Sequence, residues 1–433
     1  MTPLEREIHE LGSQLRAAAH AWAAGDGAFD DAAATRLRHR AIGLCHRHYR
    51  AAIPAYGRLC AEAGVGDEAP LPALAECCTV TDDLFKSYDA AWVGARDFAA
   101  LSRWLGDVGA EPVPADAAAA RDVDDWLDRL EAGGLHVLYS SGTSGKLSFV
   151  PRGAASWDAY RANGPSYLMP GVQRLGLDLA AMDGAVLGFR GGRMGIQRAG
   201  VELARYLPTV HFLHDQEIRA ETLRALLTAP AAGSAALGQD EAYWRFLGAL
   251  RRATEGGRAI WLFGAPYQVQ RLCALMQAIG APPLRAGSVV TLGGGWKSFE
   301  GQRVDGPALR ALIETALGVP DTRVLEAYAM VEGNSPLMRC REGRYHVPPI
   351  VEPWVFDEAL VPLPPGPDVT GTFGFMDPTA TSYPAFLVTG DEVRLVRAPC
   401  PCGLGGPAVV GDVRRAPGRE VRGCGGILAT VRA

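Results

Sequence analysis

The sequence predicts an α/β protein, with helices around largely parallel sheets and a smaller β-rich region after them. Three observations point there. Between about 135 and 330, short apolar runs alternate with segments of helical periodicity. One of those runs, Leu135–Tyr139, opens into Ser140-Ser141-Gly142-Thr143-Ser144-Gly145-Lys146, a loop of small and hydroxyl residues at a strand's carboxyl end. From about 340 the texture changes to dense Pro and Gly with β-type runs such as Thr372–Met376 and Val393–Val396.

At 433 residues the chain is long for one core and suits packed subdomains. The boundaries read as a mostly helical part at 1–134, an α/β core at 135–339 and a β-rich subdomain with a short tail at 340–433. Apolar residues make up 48% and charged residues 21%, the balance of an ordinary globular protein. A net charge of −5 leaves no footprint for nucleic acid or an anionic membrane. No apolar run approaches the roughly 18 residues of a membrane span. The opening MTPLEREIHELGSQL is charged and helical, unlike a secretory signal. Nine cysteines, an odd number, fit a reducing cytoplasm better than a disulfide framework.

Taken in order, Leu4, Ile8, Leu11 and Leu15 recur at helical spacing. A second helical stretch covers roughly Ala33 to Ala63, with His46 and His48 read as solvated surface residues without a role. The Ala-rich stretch 115–121 reads as a connector or exposed helix. Strands are expected at Leu135–Tyr139, Gly184–Phe189, Ala259–Phe263, Ser288–Leu292 and Arg323–Tyr328. Helices are expected near 153–168, 217–228, 240–254, 266–279 and 307–317.

Four motifs carry chemistry. In the 140–146 loop, glycines let backbone N–H groups approach an anion, while hydroxyls and the Lys146 ammonium meet its oxygens. The glycine spacing is not that of a Walker loop, and a plain serine-rich turn is the alternative. Gly293-Gly294-Gly295 follows an apolar strand, where a flat base can lie against the backbone; a plain strand-to-helix turn is the alternative. Tyr328 and Glu332 close another strand, an aromatic to stack on a base and a carboxylate to hold Mg²⁺ on phosphates. A core tyrosine and a surface glutamate would look the same. Val388-Thr389-Gly390-Asp391 sets an acid in a tight turn, where it accepts both hydroxyls of a ribose or simply caps the turn.

In this order and with these gaps the motifs resemble the adenylate-forming superfamily: acyl-CoA synthetases, firefly-type luciferases and peptide-synthetase adenylation domains. GGGWKSFEG (293–301), GRYHVPP (343–349), SYP (382–384), CPCG (400–403) and RAPGREVRGC (415–424) narrow it. Together they resemble the acyl-protein synthetase family of bacterial bioluminescence operons, over roughly 135–433. The resemblance implies an adenylate-forming N-terminal-domain fold of packed sheets and helices, a small β-rich subdomain and a truncated C-terminal domain. It implies ATP and Mg²⁺ as cofactors, with a carboxylic acid activated as its adenylate. Ser140, Ser141, Gly142, Thr143, Ser144 and Lys146 would hold the phosphates, and Gly293, Gly294, Gly295 and Tyr328 the adenine. Glu332 would hold Mg²⁺, Asp391 the ribose, and Arg415 would approach the nucleotide. Cys424 matches the cysteine that receives the acyl group, although a buried structural thiol would also stand there.

Two departures bear on this. The usual Gly-Arg pair is Arg414-Arg415 here, which weakens the role of Arg415. The superfamily's mobile domain with its catalytic lysine has no counterpart, so another cation must steady the α-phosphate. Lys297 is the candidate, or else it is an ordinary surface lysine.

Cys340, His346, Cys400 and Cys402 form two pairs of soft ligands able to close one tetrahedral structural Zn²⁺ site. Similar proteins carry a zinc there; reduced thiols and a turn histidine are the alternative. Arg190 and Arg193, in a stretch where the superfamily lines its acyl pocket, suit an acid with a second anionic group. Expected partners are a small carboxylic acid, then an acyl reductase, a carrier protein or an amine acceptor, in specialised metabolism. Transfer to a protein thiol is the first reading. Transfer to an amine or coenzyme A, or a non-catalytic nucleotide-binding subunit beside a reductase, are the alternatives.

Overall fold

A computed structural model describes the chain apart from residues 1, 26, 28, 142–145, 221, 223–238, 297–302 and 417–433. It divides into two compact units: 1–139 with 146–171 and 331–420, and 140–145 with 172–330 and 421–433. In chain order the strands are β1 (Val80–Thr81), β2 (His136–Ser141), β3 (Leu147–Arg152), β4 (Met182–Gly192), β5 (Val210–Ile218), β6 (Ala259–Gly264) and β7 (Val289–Gly293). They continue with β8 (Val324–Tyr328), β9 (Leu337–Arg339), β10 (Tyr345–His346), β11 (Glu352–Phe356), β12 (Asp368–Met376), β13 (Phe386–Val396) and β14 (Ala408–Arg415).

The first unit joins the helical N-terminal part to an antiparallel sheet of order β11-β12-β13-β14-β10-β9. β14 covers only Asp391 to Val396 of β13, so β1 pairs in parallel with Leu387 and Val388 farther back on the same strand. The first helix, Pro3–Ala24, starts on a capping box between Thr2 and Glu5 and ends on Gly25 in the left-handed region. It buries Ile8, Leu11 and Leu15, the row that its periodicity marks out.

The second helical stretch is two helices, Asp31–Ala52 and Pro54–Glu62, because Ile53 is extended and Pro54 restarts the chain as a first-turn residue. His46 and His48 are buried there, which corrects their reading as solvated. Tertiary partners satisfy them: Tyr56 Oη at 3.0 Å and the Gly66 carbonyl at 2.9 Å for His46, and the Thr381 carbonyl at 3.0 Å for His48. Tyr49, Tyr56 and Phe386 meet edge to face and seat these helices on β13. The stretch 115–121 holds a 3₁₀ turn at Ala115–Ala119.

The second unit is a parallel sheet of order β8-β7-β6-β4-β5. All five expected strands lie on described strands: β2, β4, β6, β7 and β8. The helices Gln239–Glu255, Pro266–Ala278 and Gly306–Leu317 correspond to three expected segments, and Ala154–Arg174, which belongs to the first unit as far as Gly171, to a fourth. The segment expected at 217–228 begins as strand, since Glu217 and Ile218 close β5, and most of its remainder lies outside the described residues. Counted within the unit, the strand order is 2-1-3-4-5. The chain therefore winds one way from β4 to β5 and the other way from β6 to β8. This reversal between β4 and β6 leaves a crevice at the strands' carboxyl ends, the usual ligand position in such sheets. Leu187, Leu213, Phe246, Leu262, Val290 and Ile313 belong to one buried core beneath it. No described helix is long and apolar enough to cross a membrane.

Candidate active site and metal centre

In the first unit the chain after β8 turns sharply through Val331–Ser335. Glu332 is 7% exposed in that turn. Two buried charges clamp it. Arg152, at the end of β3 and fully buried, gives Nη2 to the Val331 carbonyl at 2.5 Å and Nε to Asn334 Oδ1 at 3.2 Å. Its guanidinium lies over the rings of Tyr160 and Tyr383. From the other side Asp377 accepts from Asn334 N at 3.1 Å and from Thr379 N and Oγ1 at 3.0 and 2.5 Å. Tyr383, of the SYP motif, donates its hydroxyl to the Glu332 carbonyl at 2.9 Å. Burial first, and then the charge of Asp82, push the Glu332 carboxyl up to about 7. Lys86 and Arg152 pull the other way. A carboxyl so placed gains from a divalent cation, which relieves both costs, so the residues fit Mg²⁺ at this position.

Arg152 has no signal in the sequence, since its hydrogen-bond partners lie far along the chain, and the bonds of Asp377 to Thr379, two residues on, do not reveal its reach to Asn334. Replacing Arg152 with Met strands the Val331 carbonyl, Asn334 Oδ1 and a Tyr383 contact in the interior. We expect a loss of about 3 kcal/mol or more, read as a lower urea midpoint at unchanged slope.

Lys146, in the first unit, follows the phosphate-type loop. Its ammonium donates to the Tyr88 carbonyl and lies 4.2 Å from the centroid of the Tyr88 ring. Burial lowers its pKa, with Asp89 opposing. Ser140 and Ser141 end β2, while Gly142, Thr143 and Ser144 lie outside the described residues. Asp391 and Arg415 are directly opposed on β13 and β14 and form an ion pair at 3.2 Å. Lys297 and Cys424 also lie outside the described residues.

The second unit carries the adenine candidates. Gly293 ends β7, and Gly294 and Gly295 adopt φ of 86° and 62°. A Cβ at Gly293 or Gly295 would meet nothing within 4 Å, so the backbone there faces open space. Tyr328 ends β8 half-buried. Arg190 is exposed on β4 and paired with Asp215 at 2.9 Å, with Arg245 near the same carboxylate at 3.6 Å. Arg193 sits in the bend that follows β4. Below them Phe189 stacks on His214 with centroids 4.5 Å apart, and burial followed by Arg245 pushes that imidazole down to about 4.

The four soft ligands come together in the first unit. Cys340 and His346 flank the tight β9–β10 connection, with Gly343 at φ 76°. Cys400 and Cys402 sit in a turn closed by Gly403 N to the Cys400 carbonyl at 3.0 Å. Sγ of Cys340 lies 3.7 Å from Sγ of Cys400, and Sγ of Cys402 lies 3.3 Å from His346 Nε2. All four ligand atoms fall within 4.8 Å of one another. Leu404 N points at Cys402 Sγ at 3.4 Å, and Trp22 closes the edge by donating to the Gly405 carbonyl at 3.0 Å. Nδ1 of His346 is buried with no hydrogen-bond partner, and Nε2 faces only sulfur. That donor set fits zinc. His46, Cys60 and Cys78 also cluster, but both ring nitrogens of His46 already have oxygen partners.

Comparison with known proteins bears on both the fold and the motifs. Two solved structures of a 2-hydroxyisobutyryl-CoA ligase, each in complex with 2-HIB-AMP and CoA, superpose on the chain. One is an open conformation with TM-score 0.56, covering 86% of this chain and 73% of that one at 16% identity. The other, in a thioesterification state, has TM-score 0.58 and covers 90% and 69% at 16% identity. The fold is that of the adenylate-forming ligases. Residues 235–431 match the family described as acyl-protein synthetase, LuxE. The long-chain-fatty-acid–luciferin-component ligase of Vibrio harveyi is 32% identical over 183 residues, 40% of this chain and 46% of that protein. Its counterpart in Aliivibrio fischeri is 31% identical over 191 residues, 42% and 48% respectively. The chain thus spans about half the length of these curated relatives. The acyl-protein synthetase match includes the Glu332 turn, all four soft ligands, Asp391 and Cys424. The 140–146 loop and Arg152 lie outside it.

Proposed function

We propose that this protein activates a carboxylic acid with ATP as the acyl-adenylate and passes the acyl group to a protein thiol. The observation that carries this is the clamped, buried Glu332 turn, set in a stretch that matches acyl-protein synthetases. A carboxylate is a poor electrophile, and joining it to AMP supplies a leaving group. The anionic acid and triphosphate repel each other, so the site must neutralise charge and hold them in line. Glu332 would hold Mg²⁺, which supplies that neutralisation. Lys146 would leave the Tyr88 carbonyl for a phosphate, and Asp391 would leave Arg415 for the ribose. Gly293–Gly295 and Tyr328 would hold adenine, and Lys297 would approach the α-phosphate. Cys424 would accept the acyl group before a partner of the acyl-reductase kind receives it. The four soft ligands would hold one structural zinc. We place the reaction in the cytoplasm, in specialised metabolism.

The named relatives act on long-chain fatty acids. Arg190 shares Asp215 with Arg245 at the surface, so, like Lys146 and Asp391, it would have to leave a protein partner to meet a second anionic group on the acid. The test is acid-dependent exchange of labelled pyrophosphate into ATP over a panel that includes long-chain fatty acids. Incubation with ATP and the active acid should then leave a hydroxylamine-labile acyl group on the protein. Cys424→Ala should block that label and spare exchange, because adenylation precedes thiol attack. Exchange with no label on either protein moves the acceptor to an external amine or coenzyme A. No exchange with any acid defeats the activity.

A further inference from the structure

The segment Val80–Tyr88 carries no motif, yet the first unit threads it through the described parts of the candidate site. β1 pairs with Leu387 and Val388, the residues just before Thr389-Gly390-Asp391. The 3₁₀ turn Asp82–Lys86 packs on β3 and β13. Phe85 in that turn meets Tyr383 edge to face at 5.4 Å, and Tyr383 holds the Glu332 carbonyl. Tyr88 takes the Lys146 ammonium on its own carbonyl and ring, and its hydroxyl donates to the Leu147 carbonyl at 2.9 Å. One short stretch therefore touches the Lys146, Glu332 and Asp391 regions together.

Within it, Lys86 is held at 2.6 Å from Asp82 and 4.0 Å from Asp83, with its side chain only 10% exposed. Both Asp82 and Lys86 act on the Glu332 carboxyl. Burying an ammonium beside a carboxylate is a weak source of stability, because desolvation offsets the attraction. The fold alone does not call for a lysine here. A cation beside two carboxylates, in a site that is to receive a polyphosphate, is placed for the anion.

We propose that Lys86 is a catalytic residue of adenylation, its ammonium leaving Asp82 to meet the β- and γ-phosphates of ATP. The inference rests on the adenylating activity proposed above. In that step the substrate carboxylate oxygen bonds to the α-phosphorus. The bond from phosphorus to the bridging oxygen breaks, and pyrophosphate leaves with the electron pair; no proton moves. Charge accumulates on the departing pyrophosphate, where an ammonium favours the transition state over the ground state.

The test compares wild type, Lys86→Met, Lys86→Arg and Asp82→Asn in MgATP and AMP affinity and in acid-dependent pyrophosphate exchange. Lys86→Met should weaken ATP binding about tenfold, leave AMP binding unchanged, and lower exchange by roughly 100-fold. Lys86→Arg should recover part of both. Asp82→Asn should keep the preference for ATP over AMP, since the ammonium remains. A second measurement needs no variant: an acyl-phosphate derivative of ATP should acylate Lys86 in the wild-type protein, and excess ATP but not AMP should block it. An unchanged ATP-to-AMP preference and full exchange in Lys86→Met overturn the assignment, as does labelling of Lys146 without Lys86. A wild type that neither binds ATP nor exchanges with any acid brings down the activity itself, and Lys86 with it.

Discussion

Glu332→Gln should abolish acid-dependent pyrophosphate exchange and yet make the nucleotide-free protein more stable above pH 7. Both effects come from one carboxyl. Burial, then Asp82, raise it from an ordinary 4.5 to about 7. The folded state therefore holds a proton on Glu332 that the unfolded state has released. Stability linked to this group is fully present below about pH 4.5, declines as pH rises, and is gone above about pH 7. Ionising it in the folded protein costs about 3 kcal/mol at most, from the width of that window. The glutamine amide is neutral throughout and escapes the loss. The variant should melt above wild type at pH 8, and the gap should close as the pH falls below 5. Exchange in the wild type should rise through pH 7 at limiting Mg²⁺, as the carboxylate forms. A variant that exchanges normally, or whose melting advantage is the same at pH 5 and pH 8, would show that the carboxyl has been misjudged.

The second large effect concerns the soft-ligand cluster. Purified protein should carry about one zinc per chain, and Cys400→Ser should carry none. Zinc held there would be linked to folding, so the variant should lose at least about 4 kcal/mol of stability. The loss should fall on the β9–β10 connection and the 400–404 turn, which hydrogen exchange would report first. Cys77→Ser, half-buried and outside the cluster, should keep its zinc and serves as the control. Metal-free wild type with an ordinary melting temperature would mean that the cluster is three reduced thiols beside an imidazole.

The parallel sheet was legible because its inner strands are apolar on both faces: Ala259–Phe263 and Ser288–Leu292 read directly as β6 and β7. β5 was not. It is the edge of its sheet, so its sequence, Val-His-Phe-Leu-His-Asp-Gln-Glu-Ile, mixes polar residues into a strand only partly covered. β3 was missed for another reason. All six of its residues are buried, but Ser148, Pro151 and Arg152 interrupt the apolar run, and the hydrogen-bond partners of Arg152 lie 179 to 231 positions away. The inward turn of His48 is hidden by a partner 333 positions away, while His46 turns in to Tyr56 and Gly66, only 10 and 20 positions on, in a helix that looks amphipathic enough without either. Of the candidate residues, Ser141, Gly293 and Tyr328 end strands as read, whereas Asp391 lies inside β13 and not in a tight turn. The clamp formed by Arg152, Asp377 and Tyr383, and the passage of Val80–Tyr88 through it, are properties of tertiary packing. No spacing along the chain encodes them.

The reversal of winding between β4 and β6 has a bearing on how this protein changes over generations. The segments that leave the carboxyl ends of its strands, at Arg190–Met194, Gly264–Ala265 and Gly293–Trp296, hang from a sheet whose stability comes from the layer below. Within them the exposed Arg190 and the open space at Gly293 leave room for change, whereas Met194, Ala265 and Trp296 are buried and a Cβ at Gly192 or Gly264 would collide with Ile218 or Leu187. Glu332, by contrast, is locked in the other unit by residues whose loss would lower that unit's stability. Under the activity proposed above, acid preference would rest on such open positions and the activating chemistry on the buried turn. A lineage could then exchange one carboxylic acid for another at positions such as Arg190 while the Glu332 turn stays fixed.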